Sequence, residues 1–364
     1  MKKYLPSYLS VAIIILFINL PSCVKEDDVN RPFTGFTPLP DGDGWELSGP
    51  AAENIDSAGL AEICKDLYAH EKAWALNSML VFRNGRLVAE SYMKSENDRT
   101  ARRAIWSCTK QVTALVTGIA ISEGYIGSVD DPISEYLPET ADHPDKQDIT
   151  ISDLLTMRSG IFFDNGTESD ILRQHKTESS IGYVLGNELK WQPGTHYQYN
   201  DGAAQLMSGI VQNATGMTMA DYADEKLMSQ LGISNYEWRI YSDGVTLGAF
   251  GLQMPPREMA KIAQCVCDSG KWNGNEVVPT AWLRQALEIK VPGIHGNIGF
   301  GYFWWVNQTD HYAFMWGHGG QYAFIYPEKR LLVLFTGLEQ ADDDVAFWYD
   351  DAVYFAGRVA AIAD

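Results

Sequence analysis

Three short stretches of this chain carry side chains whose types and spacing suit nucleophilic chemistry. Ser107-Cys108-Thr109-Lys110 opens a run reaching Gly124, in which the apolar positions Val112, Leu115, Val116 and Ile119 recur at helical spacing. Residues three apart on a helix are neighbours, so the Ser107 hydroxyl and the Lys110 ammonium fall within reach of each other. A serine attacks a carbonyl only when a base takes its proton, and lysine serves when burial destabilises its charge. A helix N-terminus also favours the alkoxide and the developing oxyanion. The second stretch is Trp191 to Asp201 (WQPGTHYQYND), where Pro193-Gly194 makes a tight turn and Tyr199-Asn200-Asp201 leads into a helical run. The third, Trp316-Gly317-His318-Gly319-Gly320-Gln321, lies between two strand-like runs, with glycines that let a bound group approach the backbone. Taken singly, each has an ordinary reading: a surface Ser–Lys pair, a packing tyrosine, a turn histidine.

The elements that must bring these stretches together are legible from periodicity. Residues 57–70 place Leu60, Ile63, Cys64 and Leu67 on one helical stripe, with Ser57 as the expected cap. Asn84-Gly85 between the β-rich runs 78–83 and 86–92 predicts a tight hairpin. Helical patterns then dominate from 107 to about 290. Strand patterns return at 301–306, 311–316, 321–326 and 331–336, and a last helix is expected over 343–361. Strands at both ends imply an α+β fold: one antiparallel sheet flanked by N- and C-terminal helices, from residues 46–106 and 290–364. The mostly helical part, 107–289, would be an insertion, with the site in the cleft between the two.

Composition narrows the function classes. The 364 residues carry 28 Lys+Arg against 47 Asp+Glu, a net charge of −19, which is the wrong sign for nucleic acid or anionic lipid. At the N-terminus, Lys2 and Lys3 precede an apolar run, Val11–Leu20, too short to span a bilayer, followed by Leu20-Pro21-Ser22-Cys23. This resembles a lipoprotein signal: residues 1–22 would be removed and Cys23 lipidated, tying the chain to a membrane in the bacterial cell envelope. Val24-Lys25-Glu26-Asp27-Asp28 resembles the acidic export tag of surface lipoproteins, which points to the outer membrane and its external face. Residues 23–45, rich in Pro, Gly and acid, read as a flexible tether. Cys64, Cys108, Cys265 and Cys267 follow no disulfide framework and are expected reduced and buried. Asp164-Asn165-Gly166 and Asp130-Asp131 lack paired-ligand spacing, so no metal is assigned, and no organic cofactor.

In order and spacing the three stretches together resemble the nucleophile, tyrosine and strand motifs of penicillin-recognising serine hydrolases. The branch is that of class C β-lactamases, R61-type D-Ala-D-Ala peptidases, carboxylesterases and 6-aminohexanoate-dimer hydrolases. The resemblance runs from about Ser57 to Phe355. It includes Ser78–Gly85, Val129-Asp-Asp-Pro-Ile-Ser-Glu-Tyr-Leu-Pro138, Ile149–Gly160, Gly251–Ala260 and Gly270–Gly274, none with a catalytic duty. It implies Ser107 as acylated nucleophile, Lys110 as its base, and Tyr199 as proton shuttle. It also implies an oxyanion hole from the backbone N–H groups of Ser107 and Gln321. Asp201, His318, Gly319 and Gly320 would contact substrate.

Two positions depart from the family pattern. Asp201 stands where the tyrosine motif has Asn. It can only accept hydrogen bonds when ionised, and by pairing with Lys110 it would keep the lysine charged and shift the base duty towards Tyr199. His318 stands for a lysine, offering less positive charge to a substrate carboxylate. Both changes favour esters, neutral amides or amine-bearing peptides over β-lactams. Tryptophans 106, 191, 304, 305 and 316 adjoin the motifs and are candidate pocket linings as well as core residues. Three readings result: an ester or amide hydrolase, a D-Ala-D-Ala carboxypeptidase or β-lactamase, and a non-catalytic binding protein. The substrate is a small molecule or peptide, and no obligate protein partner is inferred.

Overall fold

The computed structural model describes residues 32–338 and 347–364. The expected leader, Cys23, the Lys25-Glu26-Asp27 tag and residues 343–346 of the last helix lie outside the described residues. A short strand, β1 (Glu46–Leu47), precedes α1 (Ser57–Ala69), which turns Leu60, Ile63, Cys64 and Leu67 inward as its stripe requires. Its cap is Asp56 rather than Ser57: the Asp56 carboxylate accepts the Ala58 N–H at 3.0 Å, and aspartate caps as well as serine. β2 (Leu76–Arg83) and β3 (Arg86–Tyr92) form the expected hairpin. Asn84 (φ 53°) and Gly85 (φ 77°) both adopt the left-handed conformation that matches strand twist in a two-residue turn.

The middle of the chain runs β4 (Arg103–Ala104), α2 (Cys108–Ser122), α3 (Ile151–Leu155), α4 (Thr167–Arg173), α5 (Ser180–Leu185), α6 (Asp201–Thr215) and α7 (Met219–Ala223). β5 (Glu237–Trp238) and β6 (Leu252–Met254) follow and complete a three-stranded sheet with β4. α2 is buried on every side through Ala120, not merely along its apolar stripe. A side chain at Gly118 would overlap the Trp282 ring. α8 (Pro256–Cys267) is also wholly buried, and it packs on the main sheet. The chain therefore returns to the sheet at Pro256, well before residue 290. A hairpin of β7 (Lys271–Trp272) and β8 (Asn275–Glu276) and then α9 (Thr280–Ala286) complete this region.

The late strands are β9 (Val291–His295), β10 (Ile298–Phe300), β11 (Trp305–Asn307), β12 (Tyr312–Gly317), β13 (Gln321–Tyr326) and β14 (Leu331–Gly337), with α10 (Tyr349–Ala361) closing the chain. The main sheet has the order β1-β3-β2-β14-β13-β12-β11-β10-β9. Its centre joins the two ends of the chain, Val81 opposite Val333. The sheet is antiparallel except at its edge, where β1 pairs parallel with β3. Of the strand expected at 301–306, Trp305 and Val306 belong to β11, while 301–304 form a corner between β10 and β11. Phe303 takes φ 58° and donates its N–H to Leu155 O, while Gly301 N–H closes a turn on Trp304 O.

The expected tether differs most. Within residues 32–45 the chain is a strap fastened to the domain, not a free spacer. Phe33 meets Tyr68 edge to face, Phe36 O accepts Glu90 N–H, and Leu39 N–H donates to Glu90 Oε1. Arg257, at the start of α8, binds Leu39 O, Asp43 and Glu90 together. Polar composition suggested exposure, but these backbone and carboxylate groups answer one buried guanidinium.

Candidate active site

Ser107 occupies the N-cap position of α2 without capping it. An N-cap serine ordinarily gives its oxygen to the N–H groups of the first turn. Here Trp106 adopts a left-handed backbone (φ 49°), strained for a large side chain, just before the helix begins. Ser107 Oγ instead accepts from Lys110 Nζ at 2.8 Å. Buried threonines on the same helix draw in a distant segment: Thr113 Oγ1 donates to Gly248 O, and Leu252 N–H donates to Thr109 Oγ1. That clasp delivers Ala249 O to within 3.0 Å of Lys110 Nζ.

Lys110 is fully buried. Its ammonium lies 2.7 Å from Asp201 Oδ1 and 4.9 Å from the centre of the Tyr199 ring. Burial alone would lower its pKa, but the Asp201 carboxylate, and then Tyr199, outweigh burial and leave it raised. The lysine is thus held charged, the outcome anticipated if Asp201 paired with it. Burial raises the pKa of the Tyr199 phenol despite the nearby ammonium.

Tyr199 and Asp201 are held by Asn200 between them and by two residues outside the three stretches, Asn165 and Ser169. Asn200 caps α6 through its side chain, accepting Ala203 N–H at 3.0 Å and donating to Ile161 O at 2.8 Å. Asn165 brackets the pair, donating to Tyr199 O at 2.8 Å and accepting Asp201 N–H at 3.0 Å. Ser169 Oγ, on α4, donates to Asp201 Oδ2 at 2.5 Å. The loop weighed as a metal motif is therefore a brace for the site, a role that Asn165 and Ser169 do not signal in the sequence. Among the described residues no group of three or more His, Cys, Asp or Glu gathers as a metal site would need.

The third stretch forms the turn between β12 and β13. Gly317 lies so close beneath the approach to Ser107 that a Cβ there would stand 2.3 Å from Ile105 O. Gly319 (φ 73°) and Gly320 (φ 90°) make the turn, and His318 is exposed, its ring 5.5 Å from that of Trp106 and near-perpendicular to it. Gln321 heads β13 beside the start of α2, its carbonyl 3.5 Å from Cys108 Sγ, while its side chain donates to Gly337 O. The four cysteines expected to be reduced are buried and unbridged. Of the five tryptophans, Trp305 stacks on Tyr199 at 5.9 Å and Trp106 meets the His318 ring edge to face. Trp304 is fully buried, Trp316 packs against Trp305 and Tyr349, and Trp191 stacks on His196.

Comparison with known proteins gives a consistent picture. A candidate D-alanyl-D-alanine carboxypeptidase of Escherichia coli (strain K12) is 29 % identical over 206 residues, 53 % of this chain and 45 % of that protein. Protein flp of Staphylococcus aureus (strain NCTC 8325 / PS 47) is 24 % identical over 172 residues, 44 % of this chain. The match spans only 34 % of protein flp, so this chain covers less than half the length of either curated relative. In fold, it is similar to a candidate 6-aminohexanoate-dimer hydrolase from Bacillus anthracis, with a TM-score of 0.71 at 18 % identity, over 88 % of this chain and 87 % of that one. The β-lactamase family model matches residues 77–353, most of the chain and all three motif stretches, and on that extent the protein belongs to the β-lactamase family of serine hydrolases.

Proposed function

We propose that this chain is an exported, lipid-anchored enzyme that forms an acyl-enzyme on Ser107 and hydrolyses an ester or amide. The observation that carries the reading is the 2.8 Å bond from the buried Lys110 ammonium to Ser107 Oγ, at a hydroxyl released from capping duty. A charged donor there stabilises the alkoxide as it forms, and the helix N-terminus adds to this. In the reading, Ser107 and Gln321 N–H groups receive the oxyanion, and Tyr199 returns a proton to the leaving group. Asp201 answers Lys110 with a carboxylate where a substrate carbonyl would need a donor, and His318 replaces a fixed cation with an imidazole. Both features support a substrate without a required carboxylate, such as a simple ester or neutral amide. Hydrolysis of p-nitrophenyl acetate or butyrate tests it: Ser107→Ala is expected to abolish turnover, and full activity in that variant refutes the assignment.

A second reading, D-Ala-D-Ala carboxypeptidase or β-lactamase, is favoured by the likeness to the E. coli protein. Labelling of Ser107 by a fluorescent penicillin supports it, and nitrocefin turnover singles out the lactamase. Lipid anchoring is a separate proposal resting on Leu20-Pro21-Ser22-Cys23. Cys23→Ala is expected to move the protein from the membrane to the soluble fraction. Protease accessibility on intact cells tests display at the outer surface, which Lys25-Glu26-Asp27 motivates.

A further inference from the structure

In this site neither residue that the family pattern offers as base stands ready to take a proton. Lys110 is an ammonium that donates to Ser107 Oγ and to Ala249 O, which leaves its third proton facing Asp201. Tyr199 is held in its phenol form by burial. Asp201 Oδ1 is different. It is buried and lies 2.7 Å from the ammonium that it pairs with. Its partner oxygen Oδ2 is fixed by Ser169 Oγ and the backbone by Asn165, which hold Oδ1 towards Lys110.

We propose that Asp201 is the final acceptor of the Ser107 proton, reached through Lys110 in a Ser–Lys–Asp relay. The inference rests on Ser107 acylation as proposed above. Nζ first passes the proton that faces Asp201 to Oδ1 and is left as an amine. As Oγ bonds to the substrate carbonyl carbon, the Oγ–H bond breaks and the amine takes that proton, so the lysine is an ammonium again. The negative charge of Asp201 is transferred to the tetrahedral oxyanion, and the carboxyl becomes neutral. When the intermediate collapses, Tyr199 gives its phenol proton to the leaving oxygen or nitrogen and recovers one from Asp201 through Lys110, so Asp201 is again a carboxylate. The titratable neighbours of Asp201 are Lys110 and Tyr199. On α4, Glu168 is engaged by Asp164 N–H, and Asp170 pairs with Arg173. Asp153 of α3 is taken up by the Thr150 cap, and α5 offers no charged side chain.

The test is kcat and KM for a p-nitrophenyl ester, in wild type, Asp201→Asn and Ser169→Ala. Asp201→Asn restores the residue usual in the family at nearly constant shape, so if Lys110 itself were the base the variant would be faster. The relay predicts a loss of kcat on the order of a hundredfold with KM little changed. Equal or higher activity overturns the proposal, and so does a loss confined to KM. Ser169→Ala supplies the second arm, because without its hydroxyl the carboxylate is no longer held with Oδ1 against Lys110 and kcat falls while KM stays. An unchanged kcat in Ser169→Ala overturns the proposal even if Asp201→Asn fails to fold. Failure of the hydrolase reading would show separately, as turnover persisting in Ser107→Ala.

Discussion

Lys110 stands among three oxygens, Ser107 Oγ, Ala249 O and Asp201 Oδ1, each within 3.0 Å of its ammonium. A neutral side chain there leaves Asp201 buried without its counter-charge and Ser107 without its donor. Lys110→Ala is therefore expected to lower kcat/KM on the order of a thousandfold, measured with nitrophenyl esters on folded protein. Because the lysine pKa is raised in the folded state, the pair's stabilisation is fully present below the unfolded value of 10.5 and fades only as pH rises past the folded one. The Tyr199 phenol is raised as well. The activity profile is thus expected to show no alkaline limb below about pH 10. A fall near pH 8 would contradict the assigned charge states.

At the scale of elements, the site depends on how closely the β12–β13 turn lies against the start of α2. Gly317 makes that approach possible: a methyl group would meet Ile105 O at 2.3 Å and the Gln321 Cβ at 3.0 Å. Gly317→Ala must push β12 away from the helix that carries Ser107. It is expected to cost about 1–3 kcal/mol in stability, as overpacking does, and to reduce activity disproportionately. Thermal melting read against kcat separates the two effects. Asn165 works on the other wall, tying Tyr199 and Asp201 to one side chain. Asn165→Ala is expected to lower kcat more than it raises KM, since it loosens proton-handling groups rather than a binding pocket.

Across the whole molecule, the strap of residues 32–45 joins the sheet to α8 through Arg257. This guanidinium and the Glu90 carboxylate are nearly inaccessible, at 3 % and 2 % side-chain exposure. Arg99 and Tyr92 also reach Glu90. Removing one partner of such a group leaves a buried charge uncompensated. Arg257→Ala is accordingly expected to destabilise by roughly 3–5 kcal/mol, lowering Tm by on the order of 10 °C. A chain beginning at Glu46 should melt well below one beginning at Pro32. Scanning calorimetry distinguishes these outcomes.

Local periodicity and turn chemistry determined α1, the Asn84-Gly85 hairpin, and the late strands β12 to β14, because each of these is specified by neighbours within one element. They also placed Ser107 and Lys110 together, since i and i+3 share a helical face. The contacts that decide what Lys110 is came only from the tertiary structure. Ala249 is 139 residues away along the chain, and Ser169 reaches Asp201 across 32. No spacing rule connects such pairs, which meet because buried threonines and a left-handed Trp106 aim the segments. The same holds where expectation and structure parted. A Pro/Gly-rich, acidic stretch reads as a tether until Arg257 offers it a buried partner, and residues 301–304 read as the start of a strand until Leu155 O claims the Phe303 N–H. Pattern reports what a segment prefers by itself, while charge pairing and hydrogen-bond satisfaction in the interior depend on which segments fold against it.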